Sequence, residues 1–149
     1  MKKAYLFLAD GFEEIEGLTV VDILRRAGVN ICTVSIMGKK EITGAHQIEV
    51  KADALYEEWR FADGDMFILP GGMPGTRYLG EHQGLCQLLK EKADDGVALA
   101  AICAAPSVLG DLGLLQGKKA ICYPGFESRL AGATVTFEKV VTDGNITTS

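Results

Sequence analysis

Cys103 stands where an apolar run, residues 97–102, gives way to Ala104-Ala105-Pro106-Ser107-Val108-Leu109, whose apolar residues fall at helical spacing. Pro106 fits a helix only in its first turn. A residue on such a strand-to-helix turn is lifted off the sheet. It faces the crevice at the strand's carboxyl end, where open α/β folds bind ligands. The chemistry on offer is nucleophilic. Amides at the start of the helix favour an anion, and for a cysteine the anion is the reactive thiolate. The competing reading is a buried structural thiol.

Two other segments end where they could meet Cys103. On a helical wheel Glu16 falls with Val20, Ile23, Leu24 and Ala27, a stripe expected to face the core, and Glu14 falls away from it. A carboxyl on the buried side of a helix is costly unless it is partnered or used. Burial raises its pKa, and a protonated Glu16 would donate to a Cys103 thiolate and make the thiol more acidic. An ionised Glu16 would do the opposite. The alternative is a carboxylate satisfied by nearby amides. The Gly71-Gly72 pair lets the backbone approach a ligand closely. With the Ala104 N–H, its amides would form an oxyanion hole. Pro-Gly-Gly is also ordinary turn chemistry. With no GxGxxG and no P-loop lysine, a nucleotide site has little support.

Composition narrows the rest. A chain of 149 residues, 48% hydrophobic and 23% charged, is expected to be one soluble domain spanning 1–149. The net charge of -5, with basic residues never more than two in a row, argues against nucleic acid as partner. The first apolar run is only six residues long and ends at Asp10, which reads as a core strand and not a leader. No run is long enough to span a membrane. Cys32, Cys86, Cys103 and Cys122 lack metal-type spacing and read as free thiols of a cytoplasmic protein. His46 and His82 lie far apart in sequence, so no metal site and no cofactor is expected.

The elements that must position these residues alternate. Strands are predicted at 4–9, 31–36, 65–69, 97–102 and 119–122, and helices at 15–27, 84–94 and 104–112. That alternation predicts an α/β fold, a mostly parallel sheet with helices on both faces. Residues 40–43 and 47–51 form a small β excursion around Gly44, and Asp143-Gly144 turns a terminal hairpin. The chain stops on a strand at Ser149, so a covering C-terminal helix is missing and truncation is expected. Ile15 and Leu18 lie opposite the core stripe, which predicts a homodimer through the first helix.

The segments Leu8-Ala9-Asp10-Gly11-Phe12-Glu13-Glu14-Ile15-Glu16, Val21-Asp22-Ile23-Leu24-Arg25-Arg26-Ala27-Gly28, Ile68-Leu69-Pro70-Gly71-Gly72 and Ala100-Ala101-Ile102-Cys103-Ala104-Ala105-Pro106 carry a resemblance. The chain resembles the DJ-one/ThiJ/PfpI superfamily, in particular the branch of the human parkinsonism-associated protein. The resemblance implies a flavodoxin-like doubly wound fold, Cys103 as nucleophile and Glu16 as its protonated partner. It implies cofactor-free glyoxalase or deglycase chemistry on small carbonyls such as methylglyoxal. The alternatives are a redox sensor or chaperone that uses oxidation of the same cysteine, and more remotely a peptidase or amidase. Ala104 stands where the peptidase branch has a histidine, which counts against that last activity. Tyr123 stands where many relatives place a histidine near the cysteine, which leaves a Cys-His dyad without its base. His46 aligns with a position that approaches the partner subunit's site, and dimerisation through the first helix agrees with the wheel.

Overall fold

The computed structural model describes residues 2–149. Its elements in chain order are β1 (Lys3–Leu8), α1 (Glu14–Arg26), β2 (Asn30–Ser35), β3 (Glu41–Thr43), β4 (Glu49–Lys51), β5 (Ala54–Leu55) and β6 (Met66–Leu69). Then follow α2 (Gly75–Glu81), α3 (Gln83–Asp94), β7 (Ala98–Ala101), α4 (Pro106–Asp111), β8 (Lys119–Ala120), β9 (Thr134–Val135), β10 (Val141–Asp143) and β11 (Ile146–Thr148).

Seven strands form one sheet in the order β10-β11-β7-β6-β1-β2-β5, parallel except for the β10-β11 hairpin. β1 is buried from Ala4 to Leu8, as a central strand covered on both faces must be. One core, containing Tyr5, Phe7, Phe67, Leu69 and Leu99, packs with the side carrying α2, α3 and α4. The other, with Leu6, Leu8, Phe12, Val21 and Ile42, lies under α1 and the β3-β4 hairpin. The flavodoxin-like α/β class therefore holds. On the α1 side, Val20, Leu24, Ile68, Ala100, Ile102 and Thr147 help line an apolar cavity of about 260 Å³.

Parallel pairing positions the site. The registers Leu6↔Ile68 and Leu69↔Ala101 bring the carboxyl ends of β1, β6 and β7 to one edge of the sheet. The segments that follow them, 9–13, 70–73 and 102–105, are thereby neighbours in space.

Three features differ from the sequence reading. The inner face of α1 runs through Glu14, Gly17 and Val21, whereas Ile23 is 57% exposed and Ala27 is exposed. Gly17 causes the rotation. A Cβ there would come within 2.9 Å of the Phe12 ring, so the helix settles directly onto Phe12 along its glycine. α2 was not anticipated. The helix expected at 104–112 begins only at Pro106, because residues 103–105 form a turn. Ile15 and Leu18 are solvent-facing, as the wheel places them.

Candidate active site

Cys103 has φ +64, in the left-handed region that costs a non-glycine residue strain. The turn is held from three sides. The Cys103 N–H donates to the Ser149 carbonyl at 2.8 Å, just past β11. The Cys103 carbonyl accepts from the Tyr123 N–H at 2.7 Å, and the Ile102 N–H donates to Leu69 at 3.3 Å. The side chain is thus presented at the crevice by hydrogen bonds from distant parts of the chain.

Glu16 reaches the same point from α1. One carboxylate oxygen accepts the Gly71 N–H at 2.8 Å, and the carboxyl and the Cys103 side chain both close on Gly71. Amides of Gly72 and Ala104 face the sulfur. The sequence reading placed Gly71 with these two in an oxyanion hole. The structure gives the Gly71 N–H to Glu16 instead, because α1 sets the carboxyl directly against that amide.

The electrostatics also differ from expectation. The sequence predicts Cys103 to be the most acidic of the four thiols. With Glu16 ionised, burial and then the hydrogen bond and charge of the carboxylate push the Cys103 thiol up to about 11, against the pull of the Ala104 and Gly72 amides. Burial likewise raises Glu16, and the nearby Glu13 charge adds to it, opposed by its bonds to Cys103 and Gly71. The thiol favours the Glu16 carboxylate and that carboxylate holds the thiol protonated, so the pair readily carries one negative charge and resists a second. The reactive arrangement within that singly charged pair has the proton on Glu16 and the charge on sulfur.

Gly71 is enclosed by this pair. A Cβ on it would lie 2.5 Å from the Glu16 carboxylate, 2.7 Å from Cys103 Cβ and 2.9 Å from the Ile102 carbonyl. Gly71→Ala is expected to destabilise the fold by about 1–3 kcal/mol, the usual cost of overpacking. Urea melts of the variant and parent, read at their midpoints, check this.

The DJ-1/PfpI family model matches residues 2–149. The chain belongs to the DJ-1/PfpI family. It is 38% identical over 150 residues to the DJ-1 homolog B protein of Arabidopsis thaliana, covering 99% of this chain and 34% of that protein. The chain thus spans about a third of that plant relative's length. It is 29% identical to a deglycase of Pyrococcus abyssi, over 96% of this chain and 86% of that one. The solved structure of oxidized DJ-1 from Toxoplasma gondii superposes with a TM-score of 0.95 at 34% identity, covering 100% of this chain and 82% of the other.

Other residues of this DJ-1/PfpI chain take places the sequence only partly indicated. His46 does not touch Cys103 in the single chain. Its Nδ1 lies 2.8 Å from one Glu14 oxygen, and its N–H donates to the other at 2.7 Å. Burial pushes the Glu14 carboxyl up, but bonds from His46 and from backbone amides outweigh this and leave it lowered. The Glu14 bond, with help from Glu13, raises His46. This clamp, with the Thr43 N–H on Asp10 and the Gly11 N–H on Thr43, stitches the β3-β4 hairpin to the start of α1. The sequence reading had Glu14 facing away and saw no metal-like grouping. Glu13, Glu14 and His46 in fact converge within 4.8 Å, the one such group among the described residues. Both Glu14 oxygens are already committed to His46. Tyr123 braces Cys103 through its backbone, while its ring is 56% exposed and lies edge-on to Phe126. His82 caps α3, its Nδ1 accepting the Leu85 N–H at 3.0 Å.

Proposed function

We propose that this protein converts small 2-oxoaldehydes to 2-hydroxy acids by glyoxalase or deglycase-type chemistry, with Cys103 as nucleophile and Glu16 as proton carrier. The observation that carries the reading is the strained Cys103 turn packed on Gly71, with the Glu16 carboxyl anchored on the Gly71 amide beside it. The Pyrococcus relative's name as a deglycase supports it.

The thiolate adds to the aldehyde carbon of methylglyoxal, and the alkoxide takes the proton of Glu16, giving a hemithioacetal. The Gly72 and Ala104 amides stabilise the developing oxyanion. Glu16, now ionised, removes the hydrogen on that carbon as a proton to give an enediolate. The hydroxyl proton passes from the first oxygen to the neighbouring one, and Glu16 returns its proton to the former ketone carbon. A thioester results. Water hydrolyses it to lactate and frees the thiol. One carbon is oxidised from aldehyde to acid and its neighbour reduced from ketone to alcohol, so no external oxidant, metal or organic cofactor enters the balance.

The test is to incubate the protein with methylglyoxal, quantify lactate, and map the trapped adduct by mass spectrometry. Lactate formation with the adduct on Cys103 supports the reading. Adducts confined to Cys32, Cys86 or Cys122 would sink it. A second reading, a sensor whose Cys103 is oxidised to sulfinate, is favoured by the carboxyl at hydrogen-bonding range and by the Toxoplasma relative solved in oxidized form. Two oxygens added at Cys103 by peroxide, with no lactate from methylglyoxal, would select it.

The same reading includes a cytoplasmic homodimer through α1. Ile15 is 75% and Leu18 37% exposed on its outer face. The double variant Ile15→Glu, Leu18→Glu is expected to halve the mass measured by light scattering. An unchanged dimer would place the interface elsewhere.

A further inference from the structure

We propose that two buried hydroxyls, Ser107 and Thr148, are positioning residues that aim the Cys103–Ala104 peptide, holding its N–H where the oxyanion of a carbonyl adduct forms. The inference rests on the catalytic reading above and adds to it what keeps the oxyanion donor in place.

The Ala104 N–H belongs to the same planar peptide unit as the Cys103 carbonyl, and in a trans unit the two groups point in opposite directions. Whatever grips the carbonyl therefore sets the aim of the N–H. The grip is the Tyr123 N–H at 2.7 Å. Tyr123 belongs to the segment that follows β8, and that segment has an anchor of its own. The Ile121 N–H donates to Thr148 Oγ1 at 3.0 Å. Thr148 ends β11, is 1% exposed, and stands in register with Ala101 of β7, two residues before Cys103. Its hydroxyl thus fixes the segment whose N–H fixes the peptide.

The next peptide unit is held as well. The Ala104 carbonyl accepts both the N–H of Ser107, at 3.1 Å, and its Oγ, at 2.6 Å. Ser107 lies in the first turn of α4 and is fully buried. The peptide units on both sides of the Ala104 Cα are therefore pinned, which leaves its two backbone torsions little freedom. Such bracing matters here because Cys103, at φ +64, belongs neither to β7 nor to α4. No regular ladder orients the peptide that follows it. Neither hydroxyl is needed to fill space. Alanine at 107 and valine at 148 would spare the core a polar group, which is costly to bury unless it is bonded. Both side chains lie inside the single chain, away from the outer face of α1.

The test compares two reactions of Cys103. Addition to methylglyoxal builds an oxyanion and alkylation by iodoacetamide does not, so a misaimed Ala104 N–H slows the first far more than the second. Addition is followed by stopped flow with protein in excess, and the signal of Cys103→Ser is subtracted. Thr148→Val keeps the shape and deletes the hydroxyl. It is expected to slow addition about tenfold and alkylation by about twofold or less. Ser107→Ala leaves the backbone N–H on the Ala104 carbonyl and should slow addition about threefold. Thr148→Ser loses the methyl, keeps the hydroxyl and should match the parent.

Equal slowing of both reactions, parent rates in Thr148→Val and Ser107→Ala, or a Thr148→Ser variant as slow as Thr148→Val would overturn the proposal. Should Thr148→Val not fold, Ser107→Ala decides by the same comparison. The catalytic reading fails separately. Adducts that form with the expected pattern and never yield lactate would sink that reading and leave the positioning role standing. Lactate formed by the variants at the parent rate does the reverse. A parent whose Cys103 adds no dicarbonyl overturns both.

Discussion

Cys103→Ser is expected to lower lactate formation by at least about a thousandfold, to the background of the uncatalysed reaction. A hydroxyl in the same place keeps the strained turn, the Ser149 contact and the Gly72 and Ala104 amides, so the fold should be intact. What disappears is the anion. Glu16 with its raised pKa can exchange a proton with a thiol, but an alkoxide is far too basic to form at its expense. Chiral lactate assay and a thermal melt of the same sample check the two halves of this expectation. Turnover within tenfold of the parent would mean that another residue attacks the carbonyl.

Glu16 should have the next largest effect, through both rate and pH profile. Glu16→Leu removes the proton carrier and is expected to cost about a hundredfold or more in kcat, within the usual range for general acid–base catalysis. Glu16→Gln retains a donor to the thiolate and should alkylate faster than Glu16→Leu. The pH dependence separates the roles. In the parent, the pair loses its first proton as pH rises through the raised carboxyl range, and the second is retained until about 11. Alkylation should therefore rise with the first loss and hold a plateau until the second. In Glu16→Gln the carboxylate that helped push the thiol up is gone. The low-pH step should vanish, and a single rise at the thiol's own, lower pKa should replace the one near about 11. Profiles that coincide in the parent and both variants would remove the coupled pair from the mechanism.

The layered architecture and the meeting of three strand ends were legible because buried parallel strands announce themselves as short apolar runs ended by Gly, Pro or Asp. Cys103 was legible because an apolar strand passing into Ala-Ala-Pro has few other uses. α2 escaped notice because Gly75 and Gly80 weaken its helical signal, leaving Tyr78 and Leu79 as its apolar residues. The orientation of α1 was misjudged because a wheel weighs apolar side chains and gives no weight to Gly17, whose lack of one lets the helix sit on Phe12. That error placed Glu14 outside, although it is 4% exposed and clamps His46. The assignment of the Gly71 amide to Glu16 could not be read from spacing, since adjacent glycines offer two N–H groups and only the docked helix decides between them.

The hydrogen bond from the Cys103 N–H to Ser149 has a consequence for biosynthesis. Its acceptor follows β11, the last strand of the sheet, which pairs with β7 alongside the turn. A ribosome making this chain finishes Glu16, the glycine loop and Cys103 well before that strand exists. Until β11 docks, the cysteine belongs to a nascent chain, with an ordinary thiol pKa of about 8.5 and no strained turn to present it. The strained Cys103 turn therefore matures only once β11 has docked, and whatever reactivity it confers marks chains in which that strand is in place.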